Sequence, residues 1–158
     1  MEYTKEHMEE AYRYQDFATD ILYEFGIPIC CYSSKKWNIE KGESRAGVEI
    51  KNDKLFSKTG NLYFETHEKK ADAIEWVESG LLRDDNTIFY FIGDYLKAWL
   101  FSKKQLLSLI QKPEFERKET KTSKGVVIPI KYFEDHPSIP IKVFDFIDQN
   151  INHIPCIE

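Results

Sequence analysis

Residues 46–69, AGVEIKNDKLFSKTGNLYFETHEK, decide the fold, because they contain two strand patterns joined by turn residues. Apolar and polar residues alternate in both halves, and side chains two positions apart in a strand share a face. Thr59-Gly60-Asn61 supplies residues typical of a turn between the halves. The pattern predicts two neighbouring strands, 46–53 and 61–69.

Paired in this way, the two strands would bring carboxylates and cations together on one face. Glu49 lies on the first strand and Glu65 on the second, and three basic residues follow at strand spacing: Lys51, His67 and Lys69. Carboxylate oxygens are the ligands that Mg²⁺ prefers, and the bound metal acidifies its water. A lysine or histidine can orient that water or accept its proton. We therefore expect a phosphodiester-cleaving site that uses Mg²⁺ or Mn²⁺; a solvated polar sheet face is the structural alternative.

The rest of the chain predicts a mixed α/β fold of helices around a mixed sheet. A helix over 5–25 follows Thr4 and ends before Gly26. The other predicted elements are a strand over 27–33, a short helix within 71–82, a hairpin of 87–92 and 96–101, a helix over 103–111, a charged loop over 112–124, a strand over 125–133 and an apolar run around 141–147. Because no repeat or linker interrupts this order, we expect a single α+β domain over residues 1–158.

Composition limits the class of protein more than its function. The net charge of −5 argues against a protein that coats nucleic acid non-specifically. The three cysteines lack metal-ligand spacing and are interpreted as reduced core thiols. No apolar run approaches the roughly 20 residues of a membrane span, and the charged N-terminus is unlike a signal peptide. We expect a cytoplasmic protein with no membrane partner.

The element order and one short motif resemble the PD-(D/E)XK nuclease superfamily, which has the restriction-endonuclease-like fold. The core of that family is a helix, a three-stranded meander, a second helix and a further strand. Its motif places Asp or Glu on the second strand and Glu-x-Lys on the third; here Gly47-Val48-Glu49 and Glu65-Thr66-His67 stand at those positions. The resemblance covers about 5–101, with 102–158 as a C-terminal α/β extension. It implies Glu49 and Glu65 as metal ligands, Mg²⁺ as cofactor, DNA as substrate and a possible homodimer.

Two positions depart from the motif of the family. Glu49 stands where Asp is usual, and His67 stands where the family has lysine. Either Lys51 or Lys69 supplies the ammonium, or His67 substitutes for it, or the site is inactive. Glu49 and Lys51 themselves form a literal Glu-x-Lys, with Glu43 upstream as a second carboxylate. That assignment ranks second, because the short separation of Glu43 and Glu49 leaves no room for an intervening strand.

The sequence thus supports two hypotheses of different classes. The first is a small Mg²⁺-dependent DNA nuclease in which Glu49 and Glu65 hold the metal. Lys51 or His67 would handle the attacking water. The second is a catalytically inactive nuclease-fold domain that binds protein or nucleic acid, such as a phage or mobile-element accessory protein, which parts of the sequence also resemble. His67 in the lysine position and the negative net charge favour the second hypothesis.

Four further features have both a functional and a structural interpretation. Glu10 could reach the site from the first helix, and the loop at Lys35-Lys36-Trp37 could contact DNA. The cations of 103–124 could follow phosphates, and Asp84-Asp85 could bind a metal. Solvated surfaces, a packed tryptophan and turn caps are the commoner uses of such residues.

Overall fold

The computed structural model describes residues 5–31, Lys36 and residues 40–147. In this part of the chain two four-stranded sheets pack face to face, and a long helix covers the far side of the first sheet. The helices are α1 (Lys5–Glu24), α2 (Phe56–Thr59), α3 (Lys103–Leu109), α4 (Ile130–Asp135) and a 3₁₀ turn (Gly80–Leu82). The strands are β1 (Val48–Asn52), β2 (Asn61–Glu68), β3 (Val77–Glu78), β4 (Phe89–Gly93), β5 (Lys97–Ser102), β6 (Glu116–Glu119), β7 (Ser123–Pro129) and β8 (Lys142–Asp145).

The first sheet has the order β1-β4-β5-β8. β1 runs parallel to β4, with Glu49 opposite Tyr90, and the other pairs are antiparallel. The predicted hairpin is confirmed as β4 and β5. The Asp94 carboxylate closes its turn by accepting hydrogen bonds from the N–H groups of Leu96 (2.7 Å) and Lys97 (3.1 Å).

The second sheet has the order β3-β2-β7-β6, and all its pairs are antiparallel. Part of the predicted loop over 112–124 is therefore the edge strand β6, whose side chains are all exposed. β7 ends at Pro129, and α4 begins at the next residue. Proline cannot donate a ladder hydrogen bond, so its place at the strand end fits its chemistry.

The prediction that 46–53 and 61–69 pair as neighbours is wrong. Both strands form, as β1 and β2, but they lie in different sheets. The residues between them form α2, which ends at Gly60 in the left-handed conformation (φ 68°). Phe56 of α2 is buried in the core between the sheets, so the chain crosses from one sheet to the other here instead of turning back.

Two further local predictions also fail. The segment 71–82 is not a helix: it forms β3 and the 3₁₀ turn, and Ile74 is 92% exposed, so its apolar spacing meets no core. In 27–33, the described residues form only an isolated bridge between Cys31 and Ser44. Cys30 and Cys31 are free and exposed, which corrects their interpretation as core thiols. Thr4, Lys35 and Trp37 lie outside the described residues.

Two apolar cores sandwich the first sheet. One lies between the sheets, where the ring centroids of Phe64 and Phe101 are 5.8 Å apart. The other lies under α1, whose buried residues Tyr14, Ala18 and Leu22 recur every four positions on one helix face. Because side chains alternate along a strand, one face of the first sheet contributes to one core and the opposite face to the other core.

These layers confirm a mixed α/β class with two sheets flanked by helices. They also place the polar residues of β1. Val48 and Ile50 pack in the core under α1, so Glu49 and Lys51 point to the opposite face, towards the second sheet. Within the described residues, no helix is long and apolar enough to cross a membrane.

Candidate functional site

Glu49 is a buried carboxylate on the strand at the edge of the first sheet. Its side chain is 4% exposed, and its Oε1 lies 2.6 Å from the Lys51 Nζ. Its Oε2 is buried and has no hydrogen-bond partner in the described part of the chain. A buried carboxylate oxygen without a donor is costly, so it marks a position suited to a cation or a further donor.

Glu43 lies along the free edge of β1, next to Glu49. Its Oε2 accepts a hydrogen bond from the Ile50 N–H (2.6 Å), and its Oε1 accepts one from the Gln15 amide (3.1 Å). Burial and then the charge of Glu49 raise the pKa of Glu43 to about 7, although Lys51 acts in the opposite direction. Two carboxylates thus lie next to each other at the edge of β1, and the charge of Glu49 disfavours ionisation of Glu43.

Lys51 supplies the balancing charge of this place. Burial by itself lowers the pKa of an ammonium, but Glu49, Tyr90 and Glu43 together hold the pKa of Lys51 above its ordinary value. Its side chain remains 40% exposed, so the ammonium reaches both the buried glutamate and solvent. Lys51 is therefore a fixed cation at neutral pH.

Tyr90 faces Glu49 across the parallel pair, and its hydroxyl is buried without a hydrogen-bond partner among the described residues. Burial raises the pKa of this hydroxyl. The charges of Lys51 and Arg83 act against that shift. Those of Glu49 and Glu65 reinforce it. We call Glu43, Glu49, Lys51 and Tyr90 the carboxylate cluster.

Glu65 is satisfied by neighbours on its own sheet. Its Oε1 accepts a hydrogen bond from the Ser79 hydroxyl and its Oε2 one from the Ser123 hydroxyl, both at 2.8 Å. Leu62 and Phe64 point into the core between the sheets, so Glu65 alternates to the other side of β2. Its charge acts on Tyr90, but it does not share a strand face with Glu49.

His67 and Lys69 also make their contacts on the second sheet. The His67 Nδ1 lies 3.0 Å from the Thr66 hydroxyl, and the residue stands opposite Lys124 on β7. The Lys69 Nζ lies over the Trp76 ring, 4.6 Å from its centroid. Of the predicted site residues, the structure therefore brings Glu49 and Lys51 together.

Two of the remaining candidates, Glu10 and Asp85, have local partners. Glu10 forms an ion pair with Lys54 at 2.7 Å. Asp85, whose side chain is 1% exposed, pairs with Lys103 at 3.2 Å and accepts the Thr87 N–H at 2.9 Å. These contacts give Asp85 a structural role in the loop before β4.

The carboxylate cluster is compatible with a Mg²⁺ ion held by few protein ligands. Within the described residues, no three His, Cys, Asp or Glu side chains are close enough to form a metal cage. Mg²⁺ needs no such cage, since it keeps several waters and uses one or two carboxylates. Glu43 and Glu49, with the free Oε2 of Glu49, fit that requirement.

Sequence reasoning found part of this cluster and missed the rest. The sequence places Glu43 second among the carboxylates, because the family motif needs a strand between its two acidic residues, whereas in the structure a loop carboxylate reaches the strand edge directly. Tyr90 and Arg83 were not singled out. One sequence signal pointed to Tyr90: its hydroxyl is the single polar side-chain group in the apolar run of β4, and a buried strand does not need a hydroxyl for packing.

No protein-family model matches this chain, and no curated protein and no solved structure is similar to it. Functional inference therefore depends on the chemistry of the cluster.

Proposed function

We propose that this protein is a Mg²⁺-dependent nuclease that hydrolyses DNA phosphodiester bonds at the carboxylate cluster. The observation that carries the proposal is the Glu49 carboxylate, which is buried and paired with Lys51 through one oxygen, while its other oxygen has no hydrogen-bond partner among the described residues. Glu43 beside it supplies a second carboxylate, whose pKa is raised by burial and by the charge of Glu49. A divalent cation would relieve the repulsion between these two groups.

Each residue of the cluster has a role in this chemistry. Glu43 and Glu49 would hold the metal. When bound, Mg²⁺ supplies charge stabilisation at the phosphate and acidifies a water. Lys51 stays protonated, so it orients the water or the phosphate and does not accept a proton. Glu65 as a ligand and His67 in the role of the lysine remain predictions of the motif.

The finer features of the proposal come from the resemblance to the PD-(D/E)XK superfamily. They are the restriction-endonuclease-like core, DNA as substrate and a homodimer; the cytoplasmic location is an expectation from composition. The family's meander is not part of the support, since β1 and β2 belong to different sheets. The support lies in the juxtaposition of Glu43, Glu49 and Lys51.

Plasmid nicking and calorimetric titration with Mn²⁺ test the proposal on the full chain. We expect Glu49→Gln to lose Mn²⁺ binding and to reduce nicking on the order of 100-fold or more. Glu43→Gln should weaken both, whereas Glu65→Gln should retain both if Glu43 is the second ligand. Glu116→Gln, an exposed change of the same charge on β6, serves as the control.

Two outcomes would contradict this assignment. Wild-type protein that neither binds Mn²⁺ nor nicks plasmid would exclude the metal-dependent nuclease. Loss of both properties in Glu65→Gln, with Glu43→Gln active, would return the second ligand to Glu65 and exclude Glu43.

The alternative function is an inactive domain that binds protein or nucleic acid. One observation favours it: Lys51 already neutralises Glu49, and the hydroxyls of Ser79 and Ser123 already satisfy Glu65. A site balanced in this way is stable without a metal. This alternative predicts DNA or protein binding without Mn²⁺ binding and without cleavage.

A further inference from the structure

An open cavity of about 690 Å³ lies between the segment 81–89 and the start of α3. Its volume is within the range of roughly 300–1,000 Å³ that small-ligand pockets occupy. Three basic side chains line it, Arg83, Lys103 and Lys104, together with two acidic ones, Asp84 and Asp85. The lining therefore carries one more positive than negative charge, which favours an anionic occupant.

Lys103 is already neutralised, and its contacts fix the loop that carries Arg83. Its Nζ donates hydrogen bonds to the backbone carbonyl of Arg83 (2.7 Å) and to the Asp85 carboxylate (3.2 Å). The side chains of Lys103 and Asp85 are 11% and 1% exposed, so this ion pair is buried and holds the loop in place. The cations left for a ligand in this cavity are Arg83 and Lys104.

Arg83 lines the cavity, and its charge acts on Glu43 and Tyr90 of the carboxylate cluster. Within the described residues its guanidinium makes no hydrogen bond and no ion pair at contact distance. Arg83 is half-buried, and without such a partner all the N–H donors of its guanidinium are available to bind a ligand.

We propose that Arg83 binds a phosphate group of a nucleic-acid backbone at this cavity, with Lys104 as a second cation on the cavity wall. This inference rests on the proposed nuclease function and names the residue that holds its substrate. The planar guanidinium can bind two phosphate oxygens at once. It also offsets the repulsion that Glu43 and Glu49 exert on an approaching phosphate.

Fluorescence anisotropy of a short labelled DNA duplex, measured on the full chain with EDTA present, tests this role without cleavage. We expect Arg83→Gln to weaken binding about tenfold and to lower the slope of log affinity against log salt by about 1. Arg83→Lys should lose only part of the affinity. Lysine retains the positive charge, but it lacks the planar guanidinium that can bind two phosphate oxygens at once. Arg117→Gln, the same charge change at an exposed position on β6, should stay within about twofold. Circular dichroism confirms that each variant is folded.

Inorganic phosphate and a mononucleotide distinguish the sources of the phosphate. If either binds as tightly as the duplex, and Arg83→Gln weakens it equally, the site takes a free phosphate and the backbone assignment is overturned. Equal duplex affinity in Arg83→Gln and wild type, or no duplex binding by wild type, also overturns it.

The same samples separate this inference from the nuclease proposal. Duplex binding that depends on Arg83, in a wild-type protein that binds no Mn²⁺ and nicks no plasmid, would end the nuclease proposal and leave the phosphate site standing. Metal-dependent nicking that is unchanged in Arg83→Gln would overturn the assignment of Arg83 as a phosphate-binding residue and would leave the nuclease proposal standing.

Discussion

At the scale of single residues, the main feature is a pair of adjacent glutamates in which one of them, Glu43, has a raised pKa. Glu43 accepts a backbone hydrogen bond that favours its charged form, yet burial and Glu49 outweigh it and raise its pKa to about 7. Lys51 lies beside both charges, and among the described residues its ion pair is with Glu49. The ionisation of Glu43 is therefore sensitive to pH in a range where isolated carboxylates are fully charged.

This shift gives a specific pH dependence of stability. Between its ordinary pKa of 4.5 and about 7, Glu43 binds a proton in the folded state and not in the unfolded state, so the free energy of unfolding falls as pH rises. The loss is at most about 3 kcal/mol and is complete above the folded pKa.

Urea unfolding of Glu43→Gln without metal, from pH 4 to pH 8 in steps, checks this expectation. The amide cannot ionise and keeps an oxygen for the Ile50 N–H, so the variant should gain stability over wild type as pH rises. Glu116→Gln should follow wild type at every pH, since that position is exposed. A constant difference between Glu43→Gln and wild type would show that Glu43 has an ordinary pKa.

At the scale of elements, the edge of β1 is protected by side chains instead of another strand. The Ser44 hydroxyl accepts a hydrogen bond from the Val48 N–H and donates one to the Val48 carbonyl, both at 3.0 Å. Glu43 covers the next outward N–H, that of Ile50. An edge strand otherwise exposes a row of unpaired backbone groups, so this segment both caps the sheet and brings Glu43 to Glu49.

Removal of the Ser44 hydroxyl should destabilise this edge. Ser44 is fully buried, so Ser44→Ala leaves the N–H and carbonyl of Val48 without their partner and should cost about 1–3 kcal/mol. Chemical denaturation measures the loss. Ser108→Ala, at an exposed site with a long 3.3 Å bond to the Lys104 carbonyl, is the matched control. Equal stability of the two variants would mean that the Ser44 bonds contribute nothing net.

At the scale of the whole molecule, the first sheet couples the two cores. Tyr90 and Phe101 belong to the core between the sheets, whereas their strand neighbours Phe91 and Leu100 belong to the core under α1. Loss of either core would expose one face of the same strands to water. We therefore expect the two cores to unfold together.

Truncation of one residue in each core tests this coupling. Leu22 and Phe64 are both fully buried, and Leu22→Ala and Phe64→Ala should each lower the stability of one common transition by about 2–5 kcal/mol. Far-UV and near-UV circular dichroism during urea unfolding should coincide. Tyr23→Ala, on an exposed position of α1, should have little effect. Two separated transitions in Leu22→Ala would show that α1 and its core unfold independently.

Much of the secondary structure follows from local sequence. α1, the hairpin of β4 and β5, and the strands β1 and β2 were all predicted, because helix periodicity, strand alternation and turn residues act over a few positions. The faces of β1 were also predictable: Val48 and Ile50 on one side, Glu49 and Lys51 on the other. The segment around Ile74 failed, since helix spacing of apolar residues does not show whether a core is there to receive them.

Local sequence is thus enough to specify the mixed α/β class, the alternation of β1 and the contact between Glu49 and Lys51. Long-range packing is needed to specify that β2 joins another sheet, that Ser79 and Ser123 satisfy Glu65, and that Glu43 is the carboxylate beside Glu49. The physical reason is that alternation fixes the face of a strand and not its neighbour. That neighbour depends on where distant apolar residues find their core, here through Phe56 at the crossing between the sheets.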